Sequence, residues 1–264
     1  MTPEQLRALL EQVVAQAAAA GELPGAAQAG PPRGPIFRPT DPRVAGVVAD
    51  WVTPVAQRWS PQLGLEPRDL ARVLAQGLTL QKPVAAVEVA PNGLIALTLE
   101  DEARSDIVPL VLEEQDHYAF PPGERYRELV EAPGSRGPED PLRGAQLAHA
   151  RLCRIVRNAE AVGVERRASA RLAELGHVTE RQLLVAVADL PQRLETHAGD
   201  PVQQQRGVSD LGALADAWDH PVRPELVGSR PQPVHGARLL LADAVRLVLR
   251  NGLSRLGAAA PERM

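Results

Sequence analysis

A chain of 264 residues can form one large domain or two ordinary ones, with a sizeable core either way. Its single cysteine, Cys153, excludes an internal disulfide framework, and an aromatic content of 3% within an Ala-, Leu- and Val-rich composition favours helix over sheet. The net charge of −4 argues against a general nucleic-acid binder. It is unevenly spread: residues 1–120 hold 9 basic and 15 acidic side chains (net −6), residues 121–264 hold 20 and 18 (net +2). Any RNA contact is therefore expected in the second half, and expected to be weak. Glu4 and Glu11 interrupt the Ala-rich first 20 residues, so neither export nor membrane spanning is indicated and a soluble cytoplasmic protein is expected.

Thr2, Pro3 and Glu4 predict a helix start, with Leu6, Leu9, Leu10, Val13 and Val14 on one side and a stop near Gly21. Residues 24–35 read as an irregular Gly/Pro connection and 35–38 as a short strand. A helix interrupted or kinked at Pro54 is predicted over 44–59, and a cleaner one over 66–80 that begins at Pro67. Residues 85–90 and 94–99 alternate as strands around the turn Pro91-Asn92-Gly93. Residues 111–139 are charged and rich in Pro and Gly, a linker with one helical turn at 124–130. Further helices are predicted over 144–163, 168–175, 179–198, 208–218 and 234–256. Thr179 and Gln182 give the third of these a capping-box start.

The helix over 144–163 carries the chain's most pointed pattern. Ala145, Ala148, Leu152, Ile155, Val156 and Ala159 repeat at helical spacing, and Arg151, Arg154 and Arg157 form a row on the other face beside His149 and Asn158. Such a row is either a solvated face or a phosphate-binding one, because a guanidinium is a permanently charged fork of donors. His149 and Cys153, four apart, make half a zinc site with no second pair in the sequence, so a satisfied surface histidine and a core cysteine are expected. No metal or cofactor site is expected.

The segment AHARLCRIVRNA resembles the opening helix of the DALR anticodon-binding domain of arginyl-tRNA synthetases, and ARLLLADAVRLVLRNGLSRLGAAAPERM at 237–264 is similar to that family's terminal helix. Residues 1–110 resemble the family's N-terminal additional domain through MTPEQLRALL, Arg38-Pro39, ADWVTPVA and VAAVEVAPNGLIALTL. The resemblance implies a mostly helical α+β protein. A small α/β domain at 1–110 and a linker at 111–139 would precede an antiparallel helical bundle at 140–264. It further implies candidate RNA contacts at His149, Arg151, Arg154, Arg157, Trp218, Asn251, Arg263 and Met264.

Departures from the family narrow these expectations. In the family, an aromatic and an amide at the 84–99 hairpin meet a D-loop base; Leu94 and Ala96 stand there. Tyrosines of the anticodon surface are replaced by Asp210, Gly212 and Val222, while Trp218 stands where a phenylalanine would be and reads as core. The class I catalytic domain, with its HxGH and KMSK motifs, has no counterpart in the thirty residues at its place. The expected function is therefore a non-catalytic module binding tRNA at the anticodon loop. A protein-interaction module that has lost RNA is the alternative, and a subunit completing aminoacylation with a separate catalytic chain is a third.

Overall fold

The computed structural model describes residues 1–23, 25, 30–40, 49–131, 137–166, 171–224 and 229–264. They form two compact units, 1–104 and 105–264.

The first unit opens with α1 (Pro3–Ala19), where Thr2 and Gln5 cap one another's backbone amides at 3.3 and 2.8 Å. Leu6, Leu10, Val13 and Val14 of α1 pack towards α3 (Pro67–Thr79), whose Leu70, Leu74 and Leu78 are fully buried. Between these helices in sequence lie β1 (Arg38–Pro39), β2 (Trp51–Thr53) and α2 (Val55–Leu63). After α3 come β3 (Val84–Val89) and β4 (Ile95–Leu99). The sheet is antiparallel in the order β1-β2-β4-β3, with Trp51 opposite Leu97. Asp50 and Arg104 close this unit as a buried pair: Arg104 Nε donates to Asp50 Oδ1 at 2.9 Å, and the other carboxylate oxygen accepts from the Leu99 amide at 2.8 Å.

One predicted helix is corrected here. Of residues 44–59, 44–48 lie outside the described residues, and Trp51-Val52-Thr53 is a strand; the helix begins only after Pro54. An aromatic and two β-branched residues favour strand over helix, and Trp51–Thr53 pairs with β1 on one side and β4 on the other. The predicted strand at 35–38 shifts to Arg38–Pro39. Gly93, at φ +81°, supplies the predicted β3–β4 turn, and a Cβ there would stand 3.0 Å from the Pro67 backbone.

The short helix α4 (Asp101–Ser105) spans the division, and the second unit continues with α5 (Ile107–Glu114). Then follow α6 (Pro141–Ala161), α7 (Val178–Thr196), α8 (Pro201–Ala217) and α9 (Pro233–Arg255). Helix α9 is central, with Leu239, Leu241, Ala242, Val245, Val248, Leu249 and Leu253 buried and contacts to α5, α6, α7 and α8. The start of the expected linker at 111–139 is packed structure. Asn251 Nδ2 donates to the carbonyls of Gln115 (2.7 Å) and Tyr118 (2.9 Å), and Arg255 donates to Ala119 O (2.7 Å). Those bonds hold Gln115 and Ala119 at φ +44° and +66°, a left-handed backbone that non-glycine residues adopt only under such constraint.

Two more expectations change. Residues 124–130 are irregular: the Tyr126 amide donates to Asp116 O, and Arg127 exchanges two bonds with Ser254 Oγ, so these backbone groups are engaged elsewhere than in a helical turn. The predicted helix at 168–175 is reduced, within the described residues, to the 3₁₀ turn Leu172–Glu174; 168–170 lie outside them.

Candidate nucleic-acid interface

Helix α6 builds the candidate site from one side. Asp140 caps it by accepting from the Leu142 amide at 2.8 Å, and Pro141 begins it. Its buried stripe, Leu142, Ala145, Ala148, Leu152, Val156 and Ala159, faces α8 and α9. The α6–α8 contact is backbone-close, since a Cβ on Gly212 would stand 2.7 Å from Ala145 Cα. The loss of a large side chain at 212 thus has a packing reason.

Three candidate residues are withdrawn from the surface by this packing. His149 is 1% exposed, and its Nδ1 lies 3.0 Å from Pro261 O, which as a carbonyl can only accept. Nδ1 therefore carries the hydrogen, and burial lowers the imidazole to about 4, leaving it neutral. Gln146, one turn earlier, donates to Ala259 O at 2.8 Å, so both side chains fasten the end of the chain to α6. Trp218 is 1% exposed, with no hydrogen-bond partner for its indole N–H among the described residues. Asn251 is fully buried beneath the 115–118 turn. Burial sets all three in core or positioning roles, and His149 is not the surface histidine expected from the sequence.

The arginine row divides by role. Arg151 donates to Ala215 O (2.8 Å) and Trp218 O (2.9 Å), satisfying carbonyls at the C-terminus of α8, where a cation is also favoured by the helix dipole. Arg154 is exposed and has no partner among the described residues. Arg157 is exposed and reaches Glu262 at 3.5 Å. Arg263 and Met264 are exposed at the chain end.

Arg151, Arg154, Ile155 and Asn158 form one wall of a surface groove of about 490 Å³. The opposite wall is the segment after α8, with Asp219, His220, Pro221 and Arg223. That wall is anchored: Val222 is buried, and Arg238 donates to Pro221 O at 3.3 Å and pairs with the buried Glu180 at 2.7 Å. Arg223, like Arg154, is an exposed guanidinium without a partner among the described residues. Two free guanidinium forks and an amide facing one groove can hold a phosphodiester. Asn158 is named by the sequence only as part of the polar face of α6, and Arg223 is not singled out by it at all. The Pro-bracketed stretch Pro221-Val222-Arg223-Pro224, directly after a helix, was the available signal.

Charge is less favourable than the sequence halves implied. The structural units hold 9 basic against 11 acidic residues (1–104) and 20 against 22 (105–264), a net of −2 each, because Asp106, Glu113, Glu114 and Asp116 fold with the second unit. Asp219 lies within the groove, whereas Asp210 is neutralised by Arg193 at 2.7 Å.

Residues 145–264 match the family model of the DALR anticodon binding domain. The chain is 38% identical over 134 residues to the arginine–tRNA ligase of Clavibacter sepedonicus, covering 50% of this chain and 24% of that protein. It is 37% identical over 130 residues to that of Frankia alni, covering 48% and 24%. It thus spans about a quarter of the length of these relatives. Among solved structures, Thermus thermophilus arginyl-tRNA synthetase aligns with 79% of this chain and 30% of its own, at 20% identity and a TM-score of 0.38. No helix among the described residues is long and apolar enough to cross a membrane. Residues 145–264 are a DALR anticodon binding domain, and the chain is arginyl-tRNA synthetase-like over about half its length.

Proposed function

We propose that this chain is a non-catalytic relative of arginyl-tRNA synthetases that binds tRNA through the groove between α6 and the 219–224 segment, with the anticodon stem-loop as its target. One coincidence supports this most: the match to an anticodon binding domain covers the groove that brings unpaired Arg154 and Arg223 together. Arg154, Arg157 and Arg223 would take phosphates, with Arg263 and Met264 beside them at the chain end. Arg151 would position the wall. The chain contains no HxGH or KMSK segment with which to stabilise charge on ATP phosphates, so the reading is of binding without aminoacylation.

The test mixes full-length protein with labelled tRNA at low ionic strength and adds unlabelled competitors. An isolated anticodon hairpin should displace the tRNA, and a duplex of equal length should not. Absence of any complex, or equal displacement by both, would refute the proposal. A protein-interaction role is favoured by one observation, the net charge of −2 on the second unit, and it would be supported by failure of that experiment.

A further inference from the structure

Beside the groove, two histidines from separate segments meet. His177 Nδ1 lies 2.8 Å from His220 Nε2, and Thr179 Oγ1 is 3.1 Å from each nitrogen. The ring centroids are 4.0 Å apart at an interplanar angle of 63°, so the contact is edge-on through nitrogen and not a stack. His177 is exposed, and Thr179 and His220 are half-buried. His177 Nδ1 also faces the Thr179 amide at 3.4 Å, as cap of α7, so this nitrogen presents a lone pair. A proton between the two rings occupies a position that a metal ion can take instead.

We propose that His177 Nδ1 and His220 Nε2 form a site for a borderline divalent transition-metal ion, with Thr179 Oγ1 at the same coordination face and water in the remaining positions. With metal–nitrogen bonds of about 2.0–2.1 Å, nitrogens this far apart subtend about 90° at the metal. That is a cis angle of tetragonal or octahedral coordination, the preference of Cu²⁺ and Ni²⁺ for N,O ligands. Tetrahedral Zn²⁺ would need the nitrogens to part to about 3.3 Å. Glu180 adds negative charge nearby without ligating, because its oxygens accept from the His177 amide (3.0 Å) and Arg238 (2.7 Å). Among the described residues no third His, Cys, Asp or Glu joins the pair, which is why water completes the shell. Since His177 caps α7 and His220 lines the groove, a bound ion would fasten the groove wall to the helix start. The site is independent of whether the groove takes RNA.

The experiment titrates Ni²⁺ into the full chain, free of any histidine tag, by calorimetry, with Cu²⁺ electron paramagnetic resonance to identify nitrogen ligands. One equivalent should bind, and His177→Gln and His220→Gln should each weaken it at least tenfold, while His197→Gln leaves it unchanged. The His220 variant keeps the α7 cap intact, so loss of binding there is not loss of fold. Absence of Ni²⁺ binding to the wild type, or binding unchanged in the His220 variant, would overturn the site.

Discussion

Arg151 donates to the Trp218 carbonyl across 2.9 Å, and through it the outer face of α6 holds the end of α8 and the start of the groove wall. The same guanidinium takes the Ala215 carbonyl at 2.8 Å. In sequence Arg151 belongs to a row of three arginines; in the fold it works inside the protein.

Arg151→Ala should therefore lower stability by about 1–3 kcal/mol, since two carbonyls lose charged donors. Arg154→Ala, with no partner to lose, should stay within about 0.5 kcal/mol of wild type. Urea denaturation of the two variants side by side checks this. Equal midpoints would show that Arg151 does not bear on the fold.

Gly212→Ala tests the α6–α8 contact. Helix propensity alone would favour alanine by about 1 kcal/mol. The added carbon would, however, stand 2.7 Å from the Ala145 backbone, which cannot rotate aside. Overpacking should win, destabilising by about 1–3 kcal/mol. A raised thermal midpoint would show that the helices do not approach so closely.

Two buried groups make opposing contributions to acid stability. His149 is lowered from 6.5 to about 4 by burial. A depressed histidine stabilises fully above pH 6.5, and that contribution is lost as pH falls through 4. Asp189 is raised from 3.8 to about 6, also by burial, with Arg193 opposing. Its relative contribution is present below pH 3.8 and is lost as pH rises through 6. Each amounts to at most about 3 kcal/mol. Across pH 4–6 they offset one another. Asp189→Asn should therefore stabilise the protein at pH 7 and expose a steeper acid loss, and His149→Gln should do the reverse. Denaturation midpoints from pH 4 to 7 separate them; parallel curves for all three proteins would contradict both assignments.

Asp219 is the one carboxylate lining the groove among the described residues. Asp219→Asn should tighten tRNA binding several-fold at low salt and leave the urea midpoint alone. Unchanged affinity in a filter-binding assay would place the RNA elsewhere.

Periodicity made the helical second half legible, and the arginine face of α6 with it. The starts of α6 and α8 were written in the chain as Asp140-Pro141 and Asp200-Pro201, in which aspartate caps the amides ahead of a proline that needs no donor. The expected starts at 144 and 208 followed hydrophobic spacing instead, and fell late. Helix α7 was assigned a cap at Thr179, but the capping box is His177 with Glu180, a use of imidazole that residue preference does not suggest. What periodicity could not convey was partnership. Arg151, Arg154 and Arg157 are equivalent on a helical wheel; only the fold puts carbonyls beside the first, Glu262 beside the third and a groove beside the second. His220 and Arg223 reached the site through a turn that carries no period at all.

The salt dependence of tRNA binding by the wild type and by the Arg154→Ala/Arg223→Ala double variant tests the groove most directly. Loss of two phosphate contacts should weaken binding and reduce the slope of log affinity against log salt by roughly 1.5, with an unchanged urea midpoint. A double variant that binds tRNA with the wild-type affinity and slope would contradict the account.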